Sequence, residues 1–148
     1  MSYTKLYYHI VFSPKNRLPI IHKEVRRDVY KIIYKQLMKY SCFVHRIGGV
    51  EDHVHILAEI PAKHAVADVI KIIKQESSKE IKNTFLIRQW ESWETGYSAF
   101  SCGYRELGII KSYIANQEEH HRQISFKDEY RQWLIENGID ESDPYFPK

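Results

Sequence analysis

Two histidines separated by one residue are the first feature of the sequence that suggests chemistry. His53 and His55 flank Val54 in a segment rich in apolar residues. Successive side chains of a β-strand point to opposite faces, so the two imidazoles project from the same face. Two neutral imidazoles side by side supply half of a divalent metal site. With eight histidines in the chain, chance alone gives roughly 0.4 such pairs, so two half-exposed strand histidines without a metal are an open alternative.

A second candidate group lies on a helix predicted in the last third of the chain. Tyr113 and Gln117 are four residues apart, and this spacing places both side chains on one helical face. Tyr113 lies roughly a quarter turn from the apolar stripe of this helix, at its flank rather than in its core. Its hydroxyl can serve as a nucleophile, or its ring can simply cover apolar surface at the edge of the core.

Other polar side chains near these positions suit metal or phosphate binding. His120 and His121 follow Gln117 by about one helical turn and can add metal ligands or phosphate contacts, although histidines are also common near helix C-termini. Basic residues on two predicted helices can hold phosphates, and a solvated charged surface is the alternative. These basic residues are Lys71 and Lys74 on one helix, and Arg105 and Lys111 on the other.

The scaffold that positions these residues is predicted from hydrophobic periodicity. Strands are predicted over residues 3–12, 43–47, 53–60 and 97–102. Helices are predicted over residues 22–40, 65–82 and 105–122. A last helix is predicted to begin at the capping box at 125–128 and to end at the Asn-Gly pair at 137–138. The order βαββαβ predicts an α+β, ferredoxin-like fold, in which an antiparallel sheet carries both crossover helices on one face and is followed by additional C-terminal helices. The other face, which carries the histidines, is expected to stay open for a ligand or another element.

The length and composition indicate one domain over residues 1–148, with residues 139–148 as a loosely held tail. A net charge of +3 is compatible with a nucleic-acid partner but does not require one. Cys42 and Cys102 are too far apart in sequence to form a metal knuckle, which disfavours a structural zinc site and favours a reducing, cytoplasmic setting. We find no signal-peptide pattern and no apolar stretch of membrane-spanning length, so no membrane association is expected.

Four segments of the sequence resemble a family of DNA-processing enzymes. The segment Asp52–Leu57 is similar to the histidine–hydrophobic–histidine signature of HUH nucleases. The segment Tyr113–His121 is similar to the nucleophile helix of the single-tyrosine transposases from the insertion sequence 200/605 group. Tyr8–Phe12 and Gly96–Ser101 match further segments of this family, in the same order along the chain. One departure is Gly103, where the family pattern leads us to expect a serine.

The resemblance implies an RRM-like HUH nuclease fold, a cofactor and a mechanism. His53, His55 and Gln117 would bind a divalent ion, Mg²⁺ or Mn²⁺, and Tyr113 would attack the DNA backbone to form a 5′-phosphotyrosine. The implied substrate is single-stranded DNA, at the hairpin ends of a mobile element. The resemblance also implies a homodimer whose sites each combine the two histidines of one chain with the tyrosine and glutamine of the other.

Two other functions stay open on the sequence alone. A domesticated relative that acts on repeated palindromes in a host genome would use the same chemistry. A non-catalytic module for single-stranded nucleic acid would instead stack bases on an open sheet, for example on Tyr7, although we find no RNP-like aromatic motif. Only an enzyme requires Tyr113 and Gln117 to reach the paired histidines, so the geometry distinguishes these functions.

Overall fold

Four antiparallel strands form one sheet in the computed structural model, which describes residues 1–147. The strands are β1 (Tyr7–Phe12), β2 (Phe43–Val50), β3 (His53–Glu59) and β4 (Ser98–Cys102), and the helices are α1 (Lys23–Lys39), α2 (Val66–Asn83), α3 (Leu107–Ala115), α4 (Gln117–His120) and α5 (Phe126–Glu136). The order in the sheet is β2-β3-β1-β4. The predicted ferredoxin-like α+β fold is therefore confirmed, with β3 in the interior of the sheet. Within the described residues, none of the helices combines the length and the apolar character needed to cross a membrane.

One face of the sheet packs against α1 and α2 and forms the main hydrophobic core. Val54 and Ile56 of β3 and Ile10 of β1 are buried in this core. Ile33 of α1 and Ile73 of α2 belong to the same cluster. Because side chains alternate along a strand, the apolar residues that flank the histidines enter this core and the histidines point to the opposite face.

The opposite face, which was expected to stay open for a ligand or another element, is covered by the C-terminal helices. Leu107 and Ile114 of α3 form a second cluster with Tyr7 and Leu57 of the sheet. The apolar stripe of α3 needs burial, and the sheet supplies the surface. Gly48 of β2 permits this approach, since a Cβ atom at that position would lie only 2.7 Å from the carbonyl oxygen of Ile114.

The helix predicted over residues 105–122 is divided into shorter pieces. It begins with a 3-10 turn at Tyr104–Glu106, continues as α3 and breaks at Asn116 before α4. Asn116 has φ −98° and ψ 18°, outside the usual α-helical values. Asparagine is a weak helix former because its side chain competes for backbone hydrogen bonds. Gln117, directly after the break, is buried.

Two strand boundaries differ from the prediction by more than one residue. β1 begins at Tyr7 rather than at residue 3, and β2 extends to Val50 rather than ending at Ile47. The longer β2 pairs Val50 with His53, so only Glu51 and Asp52 remain to form the turn. Asp52 therefore lies immediately beside the paired histidines.

The segment after α5 contacts that helix. Phe146 is buried, and the guanidinium of Arg131 lies 5.2 Å from the centroid of its ring. Nη1 of Arg131 also donates a hydrogen bond of 2.7 Å to the carbonyl oxygen of Pro147. The single domain over residues 1–148 and the loosely held tail over residues 139–148 remain predictions, and Lys148 lies outside the described residues.

Candidate active site

The paired histidines of β3 are buried, and outside partners fix the orientation of their rings. His53 and His55 are 0% and 1% exposed, so the alternative of half-exposed strand histidines is wrong. Nδ1 of His53 lies 2.8 Å from Oδ1 of Asp52, and Nδ1 of His55 lies 2.9 Å from Nε2 of His9. The ring of Phe126 from α5 stacks on His53 at a centroid distance of 3.8 Å. A partner on one ring nitrogen is typical of histidines that bind metal through the other nitrogen.

Tyr113 and Gln117 reach the paired histidines within the same chain. The side-chain oxygen of Gln117 lies 2.9 Å from Nε2 of His53. The ring centroids of Tyr113 and His55 are 5.6 Å apart, with the rings nearly perpendicular. The structure thus brings all four predicted residues together and meets the geometric condition that an enzyme requires.

A buried carboxylate from α5 lies at the centre of this group. Oε1 of Glu129 is 3.3 Å from Nε2 of His53 and 3.3 Å from Nε2 of His55. Oε2 accepts a hydrogen bond from the hydroxyl of Tyr113 and another, at 3.1 Å, from the side-chain amide of Gln117. Glu129 therefore links the histidines to the tyrosine.

Sequence reasoning missed Glu129, although its position in α5 carries a signal. Phe126 and Leu134 are buried and Trp133 is half-buried, which defines the inward face of the helix. Glu129 falls on the same face at helical spacing. Carboxylates are almost never fully buried unless they are paired, so an acid within an apolar stripe indicates partners elsewhere in the fold.

His120 and His121 extend the group, as the sequence suggested. Nδ1 of His121 donates a hydrogen bond of 2.9 Å to the carbonyl oxygen of Ile124. Its Nε2 lies 3.0 Å from Oε1 of Gln117 and 3.1 Å from Oε1 of Glu129. Nε2 of His120 lies 3.1 Å from Oε2 of Glu129 and is closer to solvent. Both side chains thus approach the buried group from its α4 side.

Burial and hydrogen bonding shift the pKa values of the buried histidines in different directions. Burial lowers the pKa of His55 to about 4 and the pKa of His9 to about 3, so both rings are uncharged at neutral pH. Burial also opposes a charge on His53, but hydrogen bonds to Asp52 and Glu129 outweigh it and raise the pKa of His53 above its usual value. His55 is therefore ready to act as a neutral ligand.

The pKa values of Glu129 and Tyr113 are shifted in opposite directions, which favours an ionised carboxylate and a protonated tyrosine. Burial opposes ionisation of Glu129, but hydrogen bonds with His121, His53 and His55 hold its pKa below the usual range. Burial, followed by the hydrogen bond to Glu129, raises the pKa of Tyr113. Tyr113 therefore needs a proton acceptor before it can act as a nucleophile.

Two sets of side chains in the group are compact enough to share a single ion. One set is His53, His55 and Glu129, and the other is His120, His121 and Glu129. Within each set the potential ligand atoms all lie within 4.8 Å of one another. Imidazole nitrogens combined with a carboxylate suit a divalent transition ion.

The basic residues proposed for phosphate contacts lie outside the buried group. Arg105 and Lys111 are exposed, in the turn before α3 and on α3 itself. Lys71 and Lys74 lie on α2, on the other side of the sheet, along a separate cleft of about 640 Å³. Nζ of Lys74 donates a hydrogen bond of 2.7 Å to the carbonyl oxygen of Glu94, so this lysine holds the loop before β4.

A cavity of about 330 Å³ leads from the surface to the group. Tyr113, Glu129 and Trp133 line it, and the exposed side chain of Ile109 lies at its edge. The paired histidines do not line this cavity. A molecule that enters by this route therefore meets Tyr113 and Glu129 first.

The fold and this group of side chains define a class of protein. The sheet is ferredoxin-like, and its interior strand β3 presents two histidines to a tyrosine and a glutamine from the helices that follow β4. This is the arrangement of an HUH nuclease. The chain belongs to the family of IS200-like transposases, whose sequence model matches residues 2–117. The family resemblance is therefore confirmed. The matched region ends at Gln117, so α5 and Glu129 lie beyond it.

Individual relatives agree with this assignment. The chain is 32% identical over 117 residues to the transposases for insertion sequence element IS200 of Salmonella typhimurium and Salmonella typhi, covering 76% of this chain and 76% of each relative. A crystal structure of a Deinococcus radiodurans R1 protein assigned as a transposase has a TM-score of 0.63 and 22% identity, covering 78% of this chain and 93% of that chain. A REP-associated tyrosine transposase bound to a REP hairpin has a TM-score of 0.60 and 13% identity, covering 100% of this chain and 94% of that chain. Both solved structures share the fold.

Proposed function

We propose that this transposase cleaves and rejoins single-stranded DNA through a 5′-phosphotyrosine intermediate on Tyr113. The observation that carries the proposal is the contact of the Tyr113 hydroxyl with Glu129, whose other oxygen lies 3.3 Å from Nε2 of both His53 and His55. A nucleophile, a proton acceptor and a set of metal ligands thus form one group. A non-catalytic binding module has no use for this combination.

A divalent ion, Mg²⁺ or Mn²⁺, is the proposed cofactor, held by His53, His55 and Gln117. The fit rests on the donor atoms, since both Nδ1 atoms are engaged by outside partners while the Nε2 atoms face the centre of the group. Imidazole ligands suit Mn²⁺ better than Mg²⁺, which prefers oxygen. When bound, such an ion polarises the scissile phosphate and neutralises the charge that develops on it.

Tyr113 and Glu129 account for the covalent steps. The hydroxyl oxygen of Tyr113 bonds to phosphorus, the bond from phosphorus to the 3′ oxygen breaks, and the phosphoryl group stays on the tyrosine. The tyrosine proton passes to Oε2 of Glu129, its hydrogen-bond partner, and the departing 3′ oxygen takes a proton from water. Attack by a 3′-hydroxyl on the phosphotyrosine reverses these steps, so the strand is rejoined without ATP.

The proposed substrate is single-stranded DNA next to a hairpin, as at the ends of a mobile element. A tyrosine inside a cavity of about 330 Å³ requires a backbone that bends into the cavity, which a single strand does more readily than a continuous duplex. One structural relative is described as bound to a REP hairpin, which supports a hairpin for this chain as well. A palindrome-associated relative in a host genome would differ only in the origin of that hairpin.

Exposed basic side chains near the cavity are proposed to contact the DNA backbone. Arg105 and Lys111 are exposed and adjacent in sequence to Glu106 and Ile110, which line the cavity, and His120 lines it directly. Phosphate contacts of this kind release counterions, so we expect binding to weaken as the salt concentration rises. Equal affinity for a blunt duplex and a hairpin with a single-stranded flank would contradict the proposed substrate.

Covalent trapping tests the proposed function. We expect the protein to form a denaturation-resistant adduct with a single-stranded hairpin end in the presence of Mn²⁺. Tyr113→Phe should lose the adduct but retain binding in a mobility-shift assay, because only the hydroxyl is removed. Tyr104→Phe is the matched control, since this tyrosine is 76% exposed in the turn before α3. An adduct that survives in Tyr113→Phe would exclude Tyr113 as the nucleophile.

We also propose that the protein acts as a homodimer, for which the exposed Ile109 on α3 offers apolar surface. The resemblance implies sites shared between chains, whereas Tyr113 and Gln117 here meet the histidines of their own chain. This geometry supports a complete site within each protomer. Mixed dimers of Tyr113→Phe and His53→Ala chains test it, because shared sites would restore cleavage and sites within one chain would not.

A further inference from the structure

We propose that Glu129 is a direct ligand of the divalent ion, bound through Oε1, in addition to the histidines and the glutamine. This inference rests on the proposed metal site at His53 and His55. It goes beyond that site, because the ligands implied by the family lie at or before Gln117 and Glu129 comes from α5, outside the matched region.

The distances around Oε1 of Glu129 match those between neighbouring ligands of one ion. Nε2 of His53 and Nε2 of His55 both lie 3.3 Å from this oxygen, and Nε2 of His121 lies 3.1 Å from it. Octahedral ligands at about 2.2 Å from an ion are about 3.1 Å from their neighbours. An ion can therefore be shared by His53, His55 and Glu129 without a change of fold, because their ligand atoms all lie within 4.8 Å of one another.

The three imidazole rings are oriented alike with respect to this oxygen. Each ring has an outside partner on Nδ1 and turns Nε2 towards Glu129. The Nδ1 partners are Asp52 for His53, His9 for His55 and the carbonyl oxygen of Ile124 for His121. Metal-binding histidines are typically held in this way, with the second nitrogen on a carboxylate, a carbonyl or another polar group.

His121 brings a third imidazole to Glu129. Its Nδ1 donates a hydrogen bond to the carbonyl oxygen of Ile124. Its Nε2 lies 3.0 Å from Oε1 of Gln117 and 3.1 Å from Oε1 of Glu129, so His121 lies directly beside the proposed ligands.

The second oxygen of Glu129 connects this site to the nucleophile. Oε2 accepts the hydrogen bond of the Tyr113 hydroxyl, while Oε1 faces the histidines. One carboxylate on α5 thus sets the position of the tyrosine relative to the ion. The resulting donor set is rich in imidazole nitrogen, so we expect Mn²⁺ to bind more tightly than Mg²⁺.

Metal binding to the full chain without DNA tests the inference, with Mn²⁺ titrated calorimetrically into the metal-free protein. We expect Glu129→Gln to weaken Mn²⁺ binding by at least about tenfold, and His53→Ala to weaken it as well. Asp128→Asn removes an exposed acid from the same helix and should keep the wild-type affinity. Cobalt(II) bound to Glu129→Gln should also show a visible spectrum different from the wild type, because its ligands differ.

The results for the two variants distinguish a failure of the role of Glu129 from a failure of the proposed metal site. Wild-type affinity in Glu129→Gln, with binding lost in His53→Ala, would overturn the role of Glu129 and keep the histidine site. Wild-type affinity in both variants would overturn the metal site itself. If Glu129→Gln does not fold, crystals of the wild type soaked in Mn²⁺ decide. The anomalous peak is then expected within about 2.5 Å of Oε1, and a peak on the histidines with Glu129 turned away would overturn the inference.

Discussion

At the scale of single residues, the site depends on which atom each side chain presents to the centre. Asp52 and His9 fix the rings of His53 and His55, so these proposed ligands are in place before any ion binds. The alternation of side chains along β3 was sufficient to predict that the two histidines share a face. No local pattern predicted their contact with Glu129, because that contact joins residues 74 or more positions apart and depends on how α5 docks.

One buried polar atom beside the main core is expected to lower the stability of the fold. The hydroxyl of Tyr30 on α1 is buried and has no hydrogen-bond partner among residues 1–147. An unsatisfied buried hydroxyl is destabilising, so Tyr30→Phe should raise the free energy of unfolding by about 1 kcal/mol. Tyr34→Phe, one turn along α1 at a 47% exposed position, should leave it unchanged. Urea denaturation of both variants measures the difference, and a less stable Tyr30→Phe protein would contradict the prediction.

At the scale of elements, the C-terminal helices create the site by covering a sheet face that the sequence pattern left open. Helical periodicity predicted an apolar stripe on α3, but not which surface the stripe covers. The break at Asn116 was also missed, since the periodicity on its two sides continues. Periodicity describes one element at a time, whereas docking depends on the shape of two surfaces.

The docking of α3 depends on the absence of a side chain at Gly48. A Cβ atom there would lie 2.7 Å from the carbonyl oxygen of Ile114 and 2.8 Å from its Cγ2, so Gly48→Ala should force α3 away from β2. We expect a loss of roughly 1–3 kcal/mol in the free energy of unfolding and weaker DNA cleavage, because Tyr113 and Gln117 move with the helix.

Gly108 on α3 provides the matched control. A Cβ atom at this position meets nothing within 4 Å. Gly108→Ala should therefore stabilise the protein by roughly 0.5–1 kcal/mol through helix propensity. Thermal denaturation of the two variants should shift in opposite directions. A Gly48→Ala protein as stable as the wild type would show that α3 does not pack as closely as described.

At the scale of the whole molecule, the two faces of the sheet differ in composition and in structural role. The face towards α1 and α2 holds the main apolar core, and the face towards α3, α4 and α5 holds a buried polar group. The sequence predicted this division through the alternation of β3. It did not predict that both faces are covered, because nothing in a strand pattern distinguishes solvent from a helix above it.

The buried histidines predict how the metal-free protein responds to acid. Burial lowers the pKa of His55 to about 4 and the pKa of His9 to about 3, whereas the usual value is 6.5. The unfolded chain therefore takes up these protons first, and the stability that depends on neutral rings is lost as the pH falls from 6.5 towards 4. The raised pKa of His53 does not oppose this loss, because the stability that it contributes is already present below pH 6.5 and is lost only as the pH rises through the folded-state pKa. The melting temperature should decrease over this range, and a constant or rising value would contradict the prediction.

We expect Tyr113 to become covalently joined to DNA, and mass spectrometry of the adduct identifies the modified residue. Trypsin cleaves after Lys111 and Arg122, so the peptide over residues 112–122 contains Tyr113 and no other tyrosine. After reaction with a single-stranded hairpin end and nuclease trimming, this peptide should carry the mass of a nucleotide 5′-phosphate on Tyr113. A nucleotide on a different tyrosine peptide, or DNA cleavage without any modified peptide, would contradict the account.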